Sequence, residues 1–270
     1  MATIEADAAV RRLAIVRRLE AAGFRAWPAT STAFDGTWAV RLTTGYSAKR
    51  LNSVNPLDPS DHADLEGRIE RAAARFAAFG RPLLFRQSPL APRALIEHLD
   101  ARNWSRFGES VVFTADLSTI DLATAVDRIP IRDTARYVEA SLCVHRRADD
   151  TRAGLAAILE AIEPPMALFI QEDAEERPVA VALAVHDADL AGVLDVAVDG
   201  GHRRQGLGRA LVGSALKHVH HKGARTAWLQ VETGNEAGLA LYRSLGFSEA
   251  YRYVYRAPPG VEVVSSTGPA

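Results

Sequence analysis

GGHRRQGLGRALVGSALKHVHHKG, residues 200–223, decides how the rest of the chain is read. Two arginines lead into Gly206-Leu207-Gly208. Leu207, Leu211, Ala215 and Val219 then follow at four-residue spacing, one apolar face of a helix. A strand-like run, VLDVAV at 193–198, comes just before. A helix start exposes unpaired backbone N–H groups and carries roughly half a positive charge. Glycines at 206 and 208 leave room for an anion to approach those amides. Arg203, Arg204 and Arg209 add charge-assisted donors, each worth on the order of 1.5–3 kcal/mol. By chemistry alone this is a cradle for a diphosphate. A dinucleotide loop would place a third glycine where Leu211 stands, and a triphosphate loop would need Gly-Lys followed by Ser or Thr, which the stretch lacks.

The anion site is local, because the whole chain is nearly neutral. Its 270 residues carry 32 Lys and Arg against 33 Asp and Glu, a net charge of -1, which argues against a nucleic-acid binder or a polybasic membrane binder. Apolar content of 48% and charged content of 24% are globular values, and the length allows two domains with separate cores. One cysteine, Cys143, excludes an internal disulfide and a multi-cysteine zinc site. The longest purely apolar run, 179–185, falls far short of the ~18 residues of a membrane span. No signal-peptide pattern opens the sequence, so the expectation is a soluble cytoplasmic protein, with its oligomeric state left open.

The second half reads as ααβββαβαβ. Helices are expected over 132–147 and 149–162. An antiparallel meander of strands follows at 166–171, 178–185 and 193–198, then the helix from Leu207, a strand at 226–231, a helix ending at Gly246 and a strand at 249–256. The first half is a reduced version, with a helix over 6–22, strands at 37–45 and 50–56, a helix over 64–80, a strand at 82–87, a helix over 91–104 and a strand at 109–117. LIEHLDARNWSRFGESVVF runs parallel to LALYRSLGFSEAYRYVYR, with Trp104 in the place of Phe247. This is read as an internal duplication, with domains at 1–117 and 118–257 and a flexible tail at 258–270. The expected fold class is α/β, a mixed central sheet with helices on both faces.

The pattern Arg203-x-x-Gly206-x-Gly208 after a strand resembles the acyl-CoA loop of the GNAT acetyltransferase superfamily. A second segment, NEAGLALYRSLGF, is similar to that family's later helix, with Asn235 at its start and Tyr242 before Leu245-Gly246-Phe247. The resemblance covers 134–256 well and the first half in outline, making the chain a tandem GNAT-like protein with a degenerate N-terminal copy. It implies acetyl-CoA as cosubstrate, its pyrophosphate on Arg203, Arg204, Gln205, Gly206, Leu207, Gly208 and Arg209. Strand 193–198 should splay from strand 226–231, with the pantetheine arm against the backbone of Val196, Ala197 and Val198 and near Asn235. Tyr242 would protonate the departing thiolate. The implied reaction is direct attack by a primary amine of a small molecule or protein on the thioester, in a ternary complex. The rival reading is a non-catalytic acyl-CoA-binding or regulatory module with the same fold.

An alkyl amine has a pKa near ~10.4, so the reaction needs a base or a desolvating site. Glu232, past the end of strand 226–231, and Asp195, inside strand 193–198, are the two candidates. Period-2 alternation would put Leu194, Val196 and Val198 on one face, and Asp195 and Ala197 on the other. Ribosomal-protein N-terminal acetyltransferases carry a Glu at the position matching Gln230, where this chain departs from them. No metal site is expected: the HVHH run at 218–221 fits a helix C-terminus, and Cys143 is expected to be buried and to face away from His145. In the first half, LDPSDHADLEGR stands where an anion loop would lie. Its Asp58, Asp61 and Asp64 would repel phosphate; they are expected to start a helix and to give the acceptor pocket an acidic rim that favours a cationic amine.

Overall fold

Helix α1 (Ala2–Ala26) opens the chain and buries Val16, Leu19 and Ala22. Strands β1 (Ser31–Asp35), β2 (Trp38–Leu42) and β3 (Ser53–Pro56) follow, then α2 (Leu65–Ala78), β4 (Phe85–Gln87), α3 (Arg93–Ala101) and the long β5 (Ser105–Asp116). The second half runs α4 (Thr134–His145), α5 (Arg152–Glu160), β6 (Met166–Glu172), β7 (Pro178–Asp187), β8 (Leu190–Val198), α6 (Leu207–His221), β9 (Thr226–Glu232), α7 (Glu236–Ser244) and β10 (Ser248–Ala257). The computed structural model describes residues 2–262, with side chains from Asp7 onward, so most of the expected tail lies outside the described residues. The second-half order is the one its periodicity predicts. In the first half β1 is additional: the sequence STAFD is short, and its burial alternates between exposed and half-buried, so it carries no strong apolar signal.

All ten strands form one mixed sheet in the order β1-β2-β3-β4-β10-β5-β9-β8-β7-β6. The two halves have exchanged their last strands. β10 pairs with β4 and β5 of the first half, while β5 pairs with β9 of the second. The boundary expected near Leu117 therefore follows a strand that is embedded between two strands of the other half. Each half contains one parallel pair, and each pair is short. β3 and β4 meet at Val54 and Phe85, while β8 and β9 meet from Leu190–Thr226 to Gly192–Trp228 and then part.

Strand β7 shows how the faces are divided. Val181, Leu183 and Val185 face α1, α4 and α5, whereas Ala180, Ala182 and Ala184 face α6. The alanines leave space for α6 to lie close on the sheet, where it buries Leu211, Ala215 and Val219. Each fully buried Val or Leu of the opposite face contributes about 1.5–3 kcal/mol. The first face also joins the halves. Buried Glu20 of α1 pairs with buried Arg86 of β4 and accepts a 2.5 Å hydrogen bond from Tyr251 of β10. The Arg86 guanidinium lies 3.6 Å from the centre of the Tyr253 ring.

Candidate active site

The parting of β8 from β9 has a local cause. Val181 of β7 faces Ala197 and Leu183 faces Leu194, so the single residue Ala182 stands opposite Asp195 and Val196. This is a β-bulge, which bends and twists its strand. Asp195 occupies a left-handed backbone conformation (φ 51°), rare for a residue with a side chain. The bulge overturns the strict alternation expected from VLDVAV. Leu194 and Ala197 pack on the α4 face, and Val193, Val196 and Val198 pack on the α6 face.

Asp195 is held there by four side chains. Its carboxylate accepts from Ser141 Oγ at 2.6 Å, Tyr137 OH at 3.1 Å and Arg147 Nη2 at 2.7 Å, and it lies 3.0 Å from His145 Nε2. Burial alone would raise its pKa, but Arg147, His145 and the hydroxyl of Ser141 outweigh it and hold the carboxyl well below the usual range. A carboxylate so occupied at neutral pH is a poor proton acceptor. Its geometry instead pins the bulge that opens the cleft. Asp195→Asn should cost about 3–5 kcal/mol at neutral pH, because Arg147 loses its buried counter-charge. A folded-state pKa below the unfolded value gives stability that is present above the unfolded value, near ~3.9, and lost as pH falls below it. The difference in melting temperature between parent and variant should therefore shrink as the solution is acidified below about pH 4.

Beyond the bulge the gap opens into a cavity of about 1020 Å³ that gathers Asp195, Val196, Glu232, Asn235 and Tyr242 onto one wall. Burial of Tyr242 pushes its phenol up to about 12, so it remains a proton donor at neutral pH. Its ring stacks edge-on against Phe247, with centroids 6.0 Å apart. Asn235 caps α7 through a 2.8 Å hydrogen bond from the Gly238 amide. Glu232 accepts a hydrogen bond from Lys49 Nζ at 3.0 Å, a partner from the first half that no local motif marks.

The turn from Arg203 to Gly208 lies at the outer end of the gap. Arg204 and Gly206 both have positive φ, 63° and 79°, which curls the backbone into a concave row of amides ahead of α6. A Cβ added at Gly206 would meet nothing within 4 Å. One added at Gly208 would lie 3.4 Å from Val198 and 3.5 Å from Leu241, between the two walls of the cleft. Arg203 Nε donates to the Val198 carbonyl at 3.3 Å, and Arg209 Nη1 donates to Ser244 Oγ of α7 at 2.8 Å. Gln205 and Leu207 complete the turn. Ala197 directs its side chain away from the cleft, so only its backbone could contribute there.

Other expectations are corrected. Asp58 bonds to Ser60 and pairs with Arg17, Asp61 binds Arg68 and Thr37, and Asp64 binds Arg71. None of the three lines the cavity, so they give it no acidic rim. Asp64 does precede α2, though its side chain makes no capping bond. Cys143 is exposed rather than buried, while His145 turns towards Asp195. Among the described residues, no three His, Cys, Asp or Glu side chains are grouped closely enough to hold a metal ion, and no helix is long and apolar enough to cross a membrane.

A mixed sheet split between two parallel strands, with a glycine turn and a helix at the mouth of the split, is the fold of the GNAT acetyltransferase superfamily. The chain belongs to the family described as "Probable histone acetyltransferase Rv0428c C-terminal", whose model matches residues 14–256. It is similar to the [Ribosomal protein bS18]-alanine N-acetyltransferase of Escherichia coli K12, 47% identical over 62 residues; the match spans 23% of this chain and 42% of that protein. It is 25% identical over 248 residues to the uncharacterized N-acetyltransferase YobR of Bacillus subtilis, covering 89% of this chain and 98% of that one. Its fold is also similar to that of a GCN5-related N-acetyltransferase from Kribbella flavida, with a TM-score of 0.68 at 21% identity, covering 91% of this chain and 96% of that one.

Proposed function

We propose that the chain is an acetyl-CoA-dependent N-acetyltransferase that acts on a primary amine bound in the 1020 Å³ cavity. The observation that carries this reading is the conjunction of the Arg203–Gly208 turn, which packs against Val198 at the end of β8, with the cavity beyond the β8 bulge that Tyr242 lines. Acetyl-CoA supplies the activated thioester. The turn amides and Arg203, Arg204 and Arg209 would hold its pyrophosphate, and the backbone of Val196–Val198 would hold the arm, beside Asn235. Tyr242, protonated at neutral pH, would donate to the leaving sulfur. Glu232 also lines the cavity, and with one Lys49 contact and a third of its side chain exposed it is the more accessible of the two candidate acids to take the amine's proton, directly or through water. Gln230 stands where the ribosomal-protein enzymes resembled by the sequence carry a Glu, and its Oε1 accepts from Tyr253 OH at 3.0 Å. That engagement favours an acceptor other than a ribosomal peptide.

Residues 1–117 are read as a duplicated copy that keeps the strand frame and has lost the anion turn. The three aspartates engaged by Arg17, Arg68 and Arg71 support this. The reading is tested by titrating the protein with coenzyme A in a calorimeter and by following free thiol over a panel of amines. Binding with thiol release from at least one amine is expected. Binding without release from any amine would favour the acyl-CoA-binding module instead.

A further inference from the structure

The part of the cavity lined by the first half is cationic, the reverse of the acidic rim expected there. Lys49 and Arg50, from the connection between β2 and β3, and Arg81, ahead of β4, all line it. Lys49 is engaged with Glu232. Arg81 Nη2 donates only to neutral acceptors, the carbonyls of Thr43 at 3.0 Å and Tyr46 at 3.3 Å. Arg50 is half-buried, and its guanidinium makes no hydrogen bond or ion pair with any described residue. A partly buried arginine without a carboxylate is unusual, since such side chains are ordinarily paired.

The acids that could neutralise this wall are committed elsewhere or lie at the rim. Asp195 is spent on Arg147, Glu232 meets Lys49, and Glu262 is exposed at the edge of the cavity. Deeper in, Arg86 is balanced by Glu20, while Arg41 is buried on the carbonyls of Trp27 and Arg50 with no acid in contact. The charge of Arg50 is felt by tyrosines that line the same space. Burial alone would raise the Tyr253 phenol, yet Arg50, Arg86 and a hydrogen bond with Ser110 bring it below its ordinary value. Tyr46 and Tyr255 also feel Arg50. Arg50 thus shares the cavity lining with Tyr46, Tyr253 and Tyr255.

Resting on the acetyltransferase reading, we infer that the acceptor is an amine that also bears a carboxylate or a phosphate, with the amine at Tyr242 and Glu232 and the anion on Arg50, with Arg81 nearby. An anion there would complete the coordination that Arg50 lacks, and a guanidinium can bind either oxyanion in a two-point contact. Binding one molecule at two points would also orient the amine for attack.

Paired amines that differ only in the anion test this: glycine against glycinamide, and O-phosphoethanolamine against ethanolamine, each with saturating acetyl-CoA. The anionic member of at least one pair should exceed its partner by about tenfold or more in kcat/KM, and Arg50→Gln should erase that ratio through KM. Which pair responds distinguishes carboxylate from phosphate. In parallel, protein saturated with coenzyme A is titrated with acetate and with inorganic phosphate. Binding of either that weakens about tenfold in Arg50→Gln supports the inference even if none of these four amines is acetylated. Equal rates within both pairs together with no anion binding, or selectivity and binding that survive in Arg50→Gln, overturn it. Coenzyme A titrations of parent and variant keep the two readings apart. If the parent binds no coenzyme A, the acetyltransferase reading fails, and the anion titration on the free protein still decides the role of Arg50.

Discussion

Gly206→Asp is expected to abolish measurable coenzyme A binding. Gly206 lies at φ 79°, at the start of α6, and its amide belongs to the concave row that would face the pyrophosphate. A side chain there strains the left-handed backbone, and a carboxylate puts negative charge where the ligand's own charge must sit. Losing two charge-assisted bonds at about 1.5–3 kcal/mol each weakens affinity by a factor on the order of 100 or more, before any repulsion is counted. Because a Cβ at this position meets no other atom within 4 Å, the variant should still fold. Calorimetry with coenzyme A checks the result, with circular dichroism as the control for folding. Unchanged affinity in the variant would mean that the turn is only a helix start.

Tyr242→Phe is expected to lower kcat by a factor of roughly 100 to 1000 while leaving the KM for acetyl-CoA nearly unchanged, the usual scale for loss of a positioned proton donor. The ring would keep its packing against Phe247, so the deletion removes only the hydroxyl. The pH profile supplies the sign. With the phenol raised to about 12, the donor remains protonated through the neutral and mildly alkaline range, so its own titration produces no fall in rate there. A basic limb below about pH 10 that disappears in the phenylalanine variant would contradict this assignment. Thiol release monitored against pH for both proteins decides the matter.

The turn that answers the opening stretch was legible because its signals are local: two glycines, flanking arginines, and an apolar period that begins at Leu207. The meander β6–β8 was legible for the same reason, since VAVALAV has few alternatives to a buried strand. What the sequence did not disclose depends on partners far along the chain. The left-handed turn at Asp195 is stabilised by Tyr137, Ser141, His145 and Arg147, some fifty positions away, and no periodicity announces a bulge. An acid in a strand looks like a catalyst until its donors are known. Likewise Asp58, Asp61 and Asp64 suggested a negative pocket because they are close in sequence, whereas Lys49, Arg50 and Arg81 reach the cavity through the tertiary arrangement. The exchange of β5 and β10 was invisible for a simpler reason: alternation specifies a strand, not its neighbour.

That exchange also bears on biosynthesis. β4 meets β3 on one side but finds its other neighbour in β10, the last strand in chain order, so a nascent chain carries one unsatisfied edge at Phe85–Gln87 until nearly everything after it has been translated. β5 is likewise without either flanking strand when it first leaves the ribosome, because β9 and β10 are synthesised more than a hundred residues later. The first half therefore cannot mature ahead of the second, and a stalled or truncated product would expose the very edges that recruit chaperones.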